Sequence, residues 1–187
     1  MAGRDDKRTR ILDSAQSLFL RYGVKRTSMD DVAREAGIAK GTLYLYFTSK
    51  DALFLALAER IYATTLVEAG KAIREERPLA QRLVNFLDAY IGEMQRLVAQ
   101  SPHVAELSES KEVLAAATHA DFQRGIKLML QTSLSEAGIL KEEACGMFLA
   151  AAIGVIKTGD PARDPYRSRL TAIVEVLIAG LTPAERA

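Results

Sequence analysis

Apolar residues recur at helical spacing along almost the whole chain. Ile11, Leu12, Ala15, Leu18, Phe19 and Tyr22 fall at i, i+1, i+4, i+7, i+8 and i+11, one stripe of a 3.6-residue repeat. Gly23 follows directly and is a helix stop. Ser28 opens a second helix, with its hydroxyl at the cap and Asp31 three residues on, a carboxylate version of the capping box. Two acids, Asp30 and Asp31, also suit the positive end of that helix. Met29, Val32, Ala33 and Ala36 share one face, and Gly37 ends the segment. A short third helix is predicted from about Lys40 to Tyr46, with Leu43 and Phe47 one turn apart.

The remainder continues in the same way. A long fourth helix starts at Ser49 and runs toward Glu76, where Pro78 ends it or opens the next. Ser101-Pro102 reads as a cap followed by proline at a first helical position. Leu79 to Gln100, Val113 to Ala137 and Leu140 to Lys157 carry helical apolar patterns. Gly159 to Pro165 is the clearest loop. Leu170, Ile173, Val174, Leu177, Ile178 and Leu181 make a last amphipathic helix. No alternating strand pattern, repeat or low-complexity tract occurs, so the predicted class is all-α.

Composition narrows the function classes. The 187 residues suit one large domain or two small ones, and 49% hydrophobic with 26% charged is ordinary globular usage. Gly146 to Ile156 is the longest near-apolar run, well short of the ~20 residues of a membrane span. The polar N-terminus lacks the apolar core of a signal peptide, so a cytoplasmic location is expected. The single cysteine, Cys145, forms no internal disulfide and reads as buried and structural. His103 and His119 lack metal-ligand spacing, and no glycine-rich phosphate loop or nucleophile elbow is present. No metal, cofactor or catalytic residue is therefore predicted, and the chain is not read as an enzyme. The net charge of +1 hides an asymmetry: the first 50 residues hold ten basic and six acidic residues, a balance of +4, and the rest stand at −3. A basic segment on an acidic body suits a polyanionic partner.

Residues 28 to 47 are laid out as helix, glycine turn and short helix, a helix-turn-helix. Ile38 is the apolar residue that packs between the two. Lys40 and Thr42 lie in the first turn of the second helix, the end that enters a major groove, where lysine suits guanine acceptors and threonine a base edge or thymine methyl. Gly41 lets backbone approach the duplex closely. Tyr44 and Tyr46 bring hydroxyls suited to phosphate, and Lys50 brings an ammonium to a helix start.

The run Gly37-Ile38-Ala39-Lys40-Gly41-Thr42-Leu43-Tyr44-Leu45-Tyr46-Phe47-Thr48-Ser49-Lys50-Asp51-Ala52-Leu53 resembles the signature of the TetR/AcrR family of bacterial transcription regulators. The upstream stripe through Tyr22-Gly23 and the run Thr27 to Ala33 fit the same pattern, and the resemblance covers about the first 60 residues. It implies an N-terminal three-helix DNA-binding domain, residues 1–50. A long helix joins this to a larger helical domain, 51–187, with a small-molecule pocket and a homodimer interface built from the last two long helices. By position it implies phosphate contacts at Thr27, Ser28, Tyr44, Tyr46 and Lys50, and base-facing positions at Lys40, Gly41, Thr42 and Leu45. Ala39 departs from the pattern, since many members have a capping serine there.

Two further sets of residues carry a double reading. Phe86, Tyr90 and Met94 recur at i, i+4 and i+8, and Phe122, Ile126 and Met129 at near-helical spacing. They are ordinary core or, with His119, the lining of an apolar pocket for a hydrophobic or amphipathic effector. Ala150, Ala151, Ala152 and Gly154 permit close helix approach, with this chain or its copy. The expected function is a dimeric, ligand-released repressor bound to a pseudo-palindromic double-stranded operator. An architectural DNA-binding protein without effector, or a helical enzyme or interaction module with an incidental helix-turn-helix, are the competing classes.

Overall fold

The computed structural model describes residues 2–158 and 166–182. Among the described residues the regular structure is entirely helical. The helices are α1 (Ala2–Tyr22), α2 (Met29–Glu35), α3 (Lys40–Tyr46), α4 (Lys50–Ala72), α5 (Leu79–Gln100), α6 (Val104–Leu114), α7 (Ala116–Glu136), α8 (Ala144–Thr158) and α9 (Tyr166–Leu181). The predicted loop from Gly159 to Pro165 lies outside the described residues.

Local signals at the first three helices act as the sequence predicts. Ser28 caps α2: its hydroxyl accepts from the Asp31 N–H at 3.1 Å, while Asp31 Oδ2 accepts from the Ser28 N–H at 3.0 Å. Gly37 takes the left-handed conformation, φ 63°. Its N–H donates to the Arg34 carbonyl at 3.2 Å, and the Ile38 N–H donates to the Ala33 carbonyl at 3.0 Å. Those two crossed bonds form a Schellman motif, which turns the chain sharply from α2 toward α3. Ala39 starts α3 with no side-chain cap.

Elsewhere the boundaries shift. α4 ends at Ala72 rather than near Glu76, because the Arg74 and Glu75 N–H groups tighten onto the Lys71 and Ala72 carbonyls. Pro78 opens α5, its carbonyl accepting from the Arg82 N–H at 3.1 Å. The segment predicted as one helix from Val113 divides at Ala115 into α6 and α7. α6 begins at Val104 after His103, so Pro102 is not its first helical residue. The Ser101 hydroxyl instead accepts from the His103 N–H at 3.1 Å and donates to the Leu20 carbonyl at 2.9 Å. α8 starts at Ala144, leaving Leu140 exposed before it.

The chain forms two compact units. The first runs through Tyr62 and takes in Leu97–Ala120; the second is Ala63–Arg96 with Asp121–Ala187. A division at residue 50 therefore does not follow compactness. α4 contributes Leu53, Phe54, Ala56 and Leu57, and α6 contributes Leu107, to the same apolar cluster as α1 to α3. Ile11, Leu12, Ala15, Val32 and Leu43 are fully enclosed in that cluster. In the second unit Leu83, Phe86, Leu87, Leu130, Phe148, Ala152, Leu170 and Val174 are enclosed, and α8 packs along α9.

Gly37 has open space where a Cβ would stand, so only its backbone conformation constrains it. Gly37→Ala is expected to destabilise the first unit by about 1–2 kcal/mol through left-handed strain alone. Urea unfolding followed by circular dichroism reads this; unchanged stability would remove the Schellman turn as a structural determinant.

Candidate nucleic-acid interface

α3 is divided by exposure. Leu43 and Phe47 point inward, the former fully buried, and Ile38 and Tyr46 pack partly against the same cluster. Gly41, Tyr44 and Leu45 are outside and Thr42 is half-buried. Leu45 is 82% exposed, an apolar side chain with no partner in the core. A Cβ added at Gly41 would meet nothing within 4 Å, so no contact inside the protein requires glycine there. The outer row of α3 thus contributes little to the fold, as expected of residues that meet another molecule.

The charges at this surface are paired rather than loose. Lys40 Nζ stands 2.8 Å from Asp30 Oδ1 and 3.0 Å from Asp30 Oδ2, and that hydrogen bond and charge raise the lysine above its ordinary pKa. Asp31 is held below the usual carboxyl range, first by the Ser28 hydroxyl and backbone, then by Arg34. A depressed carboxyl pKa stabilises above its unfolded value. The Asp31 contribution is therefore complete above about pH 4 and is lost as pH falls through the lower folded value.

Two predicted phosphate contacts have their side-chain donors on carbonyls of this chain. Thr27 is 2% exposed, and its hydroxyl donates to the Gly23 carbonyl at 2.7 Å, so its side chain is turned into the protein. Lys50 directs its ammonium at three carbonyls of the α1–α2 turn: Val24 at 2.7 Å, Thr27 at 3.1 Å and Lys25 at 3.4 Å. All three of its donors are engaged, leaving none for a phosphate. It offsets the cost of a cation at a helix start by clamping that turn. Ser28 remains at the surface as the α2 cap.

The same turn is gripped from α6, which sequence reasoning missed. The Lys25 N–H donates to Glu106 Oε1, and the Lys25 ammonium donates to Glu109 Oε2 at 3.0 Å. The partners are more than 80 residues apart, and no local pattern marks them. Arg8 stacks over the Phe47 ring at 5.5 Å, tying α1 to the end of α3.

Phe86, Tyr90, Phe122 and Ile126 are buried on α5 and α7 in the second unit, with the Tyr90 and Phe122 rings stacked at 6.1 Å. Met129 is half-buried, and the Met94 side chain lies outside the described residues. His119 stands one turn before Phe122 on α7, and its ring is 5.5 Å from that of Tyr62. Burial lowers its pKa and pushes Tyr62 up to about 12. A cleft of about 230 Å³ between α5 and α9 is lined by Arg77, Gln81, Asn85, Arg167, Thr171 and Glu175 among others, and by none of these candidates. Cys145 is buried, its pKa raised by desolvation, with its Sγ 3.7 Å from the Lys127 carbonyl. Among the described residues no three His, Cys, Asp or Glu side chains are grouped as metal ligands.

Lys50→Met keeps the apolar stem and removes the clamp. It is expected to cost about 1–3 kcal/mol of stability by stranding the turn carbonyls. The salt dependence of DNA binding should then be unchanged, whereas a lost phosphate contact would lower its slope by about one unit.

Comparison with known proteins matches this geometry. Residues 11–57 fit the family described as bacterial regulatory proteins, tetR family. The chain is 29% identical over 119 residues to the HTH-type transcriptional activator FasR of Mycolicibacterium smegmatis, covering 60% of this chain and 54% of FasR. It therefore spans about half the length of that relative. Among solved structures, FadR of Bacillus subtilis in complex with stearoyl-CoA superposes with a TM-score of 0.68 at 18% identity, covering 93% of this chain and 99% of that one. SmeT of Stenotrophomonas maltophilia, in its triclosan complex, does so with a TM-score of 0.68 at 19% identity, covering 94% and 91%. Residues 11–57 thus match the TetR family of bacterial regulatory proteins, and the all-helical fold of the chain is similar to that of solved regulators.

Proposed function

We propose that this chain is a homodimeric, sequence-specific DNA-binding repressor, released from a pseudo-palindromic operator by a hydrophobic or amphipathic small molecule. The observation that carries the reading is the outer row of α3. Gly41, Thr42, Tyr44 and Leu45 are displayed on a helix whose inner face is anchored by Leu43 and Phe47. Lys40 and Thr42 meet base edges, Gly41 admits close approach, and Ser28, Tyr44 and Tyr46 flank them toward phosphates.

The C-terminal helices support the rest of the reading. Met147 on α8 and Ile173 and Val176 on α9 are exposed. Cβ atoms at Gly146, Gly154 and Gly180 on the same two helices would meet nothing within 4 Å. An apolar face with small residues suits close packing against a second copy, and two copies present two recognition helices to successive major grooves. The enclosed Phe86, Tyr90, Phe122 and Ile126 are the apolar material from which an effector site would open. FadR of Bacillus subtilis in complex with stearoyl-CoA and the SmeT–triclosan complex share this fold, in keeping with an apolar or amphipathic effector. The effector acts by binding the DNA-incompetent arrangement more tightly, and a tenfold loss of operator affinity needs about 1.4 kcal/mol of difference.

Selection from randomised duplex DNA at near-physiological salt is expected to return one pseudo-palindrome. Thr42→Ala should weaken it by about 1–3 kcal/mol and relax one position. Gly41→Ala should leave the fold as stable or up to about 1 kcal/mol more stable, yet bind the selected operator less tightly. Recovery of no preferred sequence would sink the reading, with uniform salt-sensitive binding favouring an architectural protein. Val176→Glu, at a site 70% exposed in the single chain, is expected to weaken self-association without unfolding the protein. Sedimentation equilibrium reads this, and an unshifted dimer would place the interface elsewhere.

A further inference from the structure

The Asp30–Lys40 pair lies between α2 and the start of α3, and its position is chemically specific. Ala39 supplies no side-chain cap to α3, so the helix begins with an uncapped turn and a lysine at its first residue. A cation there is electrostatically unfavourable. The carboxylate of Asp30 offsets it from outside the helix, with contacts of 2.8 and 3.0 Å. Asp30 is not needed for the α2 cap, since Asp31 makes both reciprocal bonds with Ser28 and also pairs with Arg34. Both members of the Asp30–Lys40 pair are more than half exposed. An exposed ion pair of this kind contributes little to stability, about 0–1 kcal/mol. Its consequence is orientation: the ammonium is drawn to α2 and held beside an acceptor.

We infer that Asp30 is a specificity-determining residue, and that Asp30 and Lys40 together read one G·C base pair in each operator half-site. This rests on the proposed DNA-binding function. In the major groove a G·C pair presents two neighbouring acceptors, guanine N7 and O6, and then the cytosine N4 donor. Lys40 supplies donors to the first two, and Asp30, held next to it, accepts from the third. An A·T pair puts the adenine N6 donor where the ammonium needs an acceptor, so the same pair of side chains rejects it. The carboxylate has a second effect. It competes with phosphate for Lys40 and repels the DNA backbone, which suppresses binding to unrelated sequence.

The test is selection from randomised duplex DNA with the full chain, its Asp30→Ala and Lys40→Met variants and the double variant, each checked for folding by thermal unfolding. The wild type is expected to show one near-invariant G·C position per half-site. Asp30→Ala should reduce the preference there by about fivefold to a hundredfold. It should also bind unrelated DNA more tightly, with a salt slope steeper by about one unit, as the freed lysine turns to phosphate. Lys40→Met should lose the same position, and adding Asp30→Ala to it should change that position no further. An operator recovered by Asp30→Ala with its G·C preference and salt slope intact overturns this inference and leaves the regulator reading standing. A wild type that selects no sequence overturns both.

Discussion

The burial of Leu43 and Phe47 holds the outer row of α3 in place. α2 and α3 are seven residues each, and helices of that length do not persist alone in water. They exist because Val32, Ala33, Leu43 and Phe47 enter one cluster with Ile11, Leu12, Ala15 and Phe19 of α1 and Leu53 and Leu57 of α4. The Schellman turn at Gly37 sets the direction from α2 to α3, and burial then sets the rotation of α3 about its axis. Once Leu43 is inside, Gly41, Tyr44 and Leu45 are outside by helical geometry. The display of the outer row is thus a consequence of the core, not a separate device.

Electrostatics divides the basic residues of this unit into two kinds. Lys50 is spent on the carbonyls of the α1–α2 turn, and the Lys25 ammonium is paired with Glu109. Both hold that turn, one from α4 and one from α6. Lys40 is paired as well, but with a carboxylate on the same outer surface, where a nucleic acid can compete for both members. Net positive charge in the first 50 residues therefore overstates the number of cations free to meet phosphate.

Much of the helix-turn-helix unit was legible in the chain because its signals are local. The Ser28 cap, the Gly37 stop and the spacing of Leu43 and Phe47 each act within about one helical turn. The carbonyl partners of Thr27 and Lys50 were not legible. Both are polar residues in a run that resembles phosphate-binding segments, and only the folded turn shows their donors committed to backbone carbonyls. The division of α6 from α7 at Ala115 was hidden for a related reason. No glycine or proline marks it, and only the folded chain shows α6 ending at Ala115.

The sequence by itself determined the all-helical class, the helix-turn-helix and the family that residues 11–57 match, because helical periodicity, caps and glycine stops are written in neighbouring residues. The tertiary structure alone decided which polar groups face outward and which are consumed inside. It placed Lys50 on the turn carbonyls, brought Glu106 and Glu109 to Lys25, and set Asp30 beside Lys40. Those pairings join residues separated by ten to more than eighty positions. Coulomb and hydrogen-bond partners at such separations are chosen by the packing of helices, which no local pattern encodes.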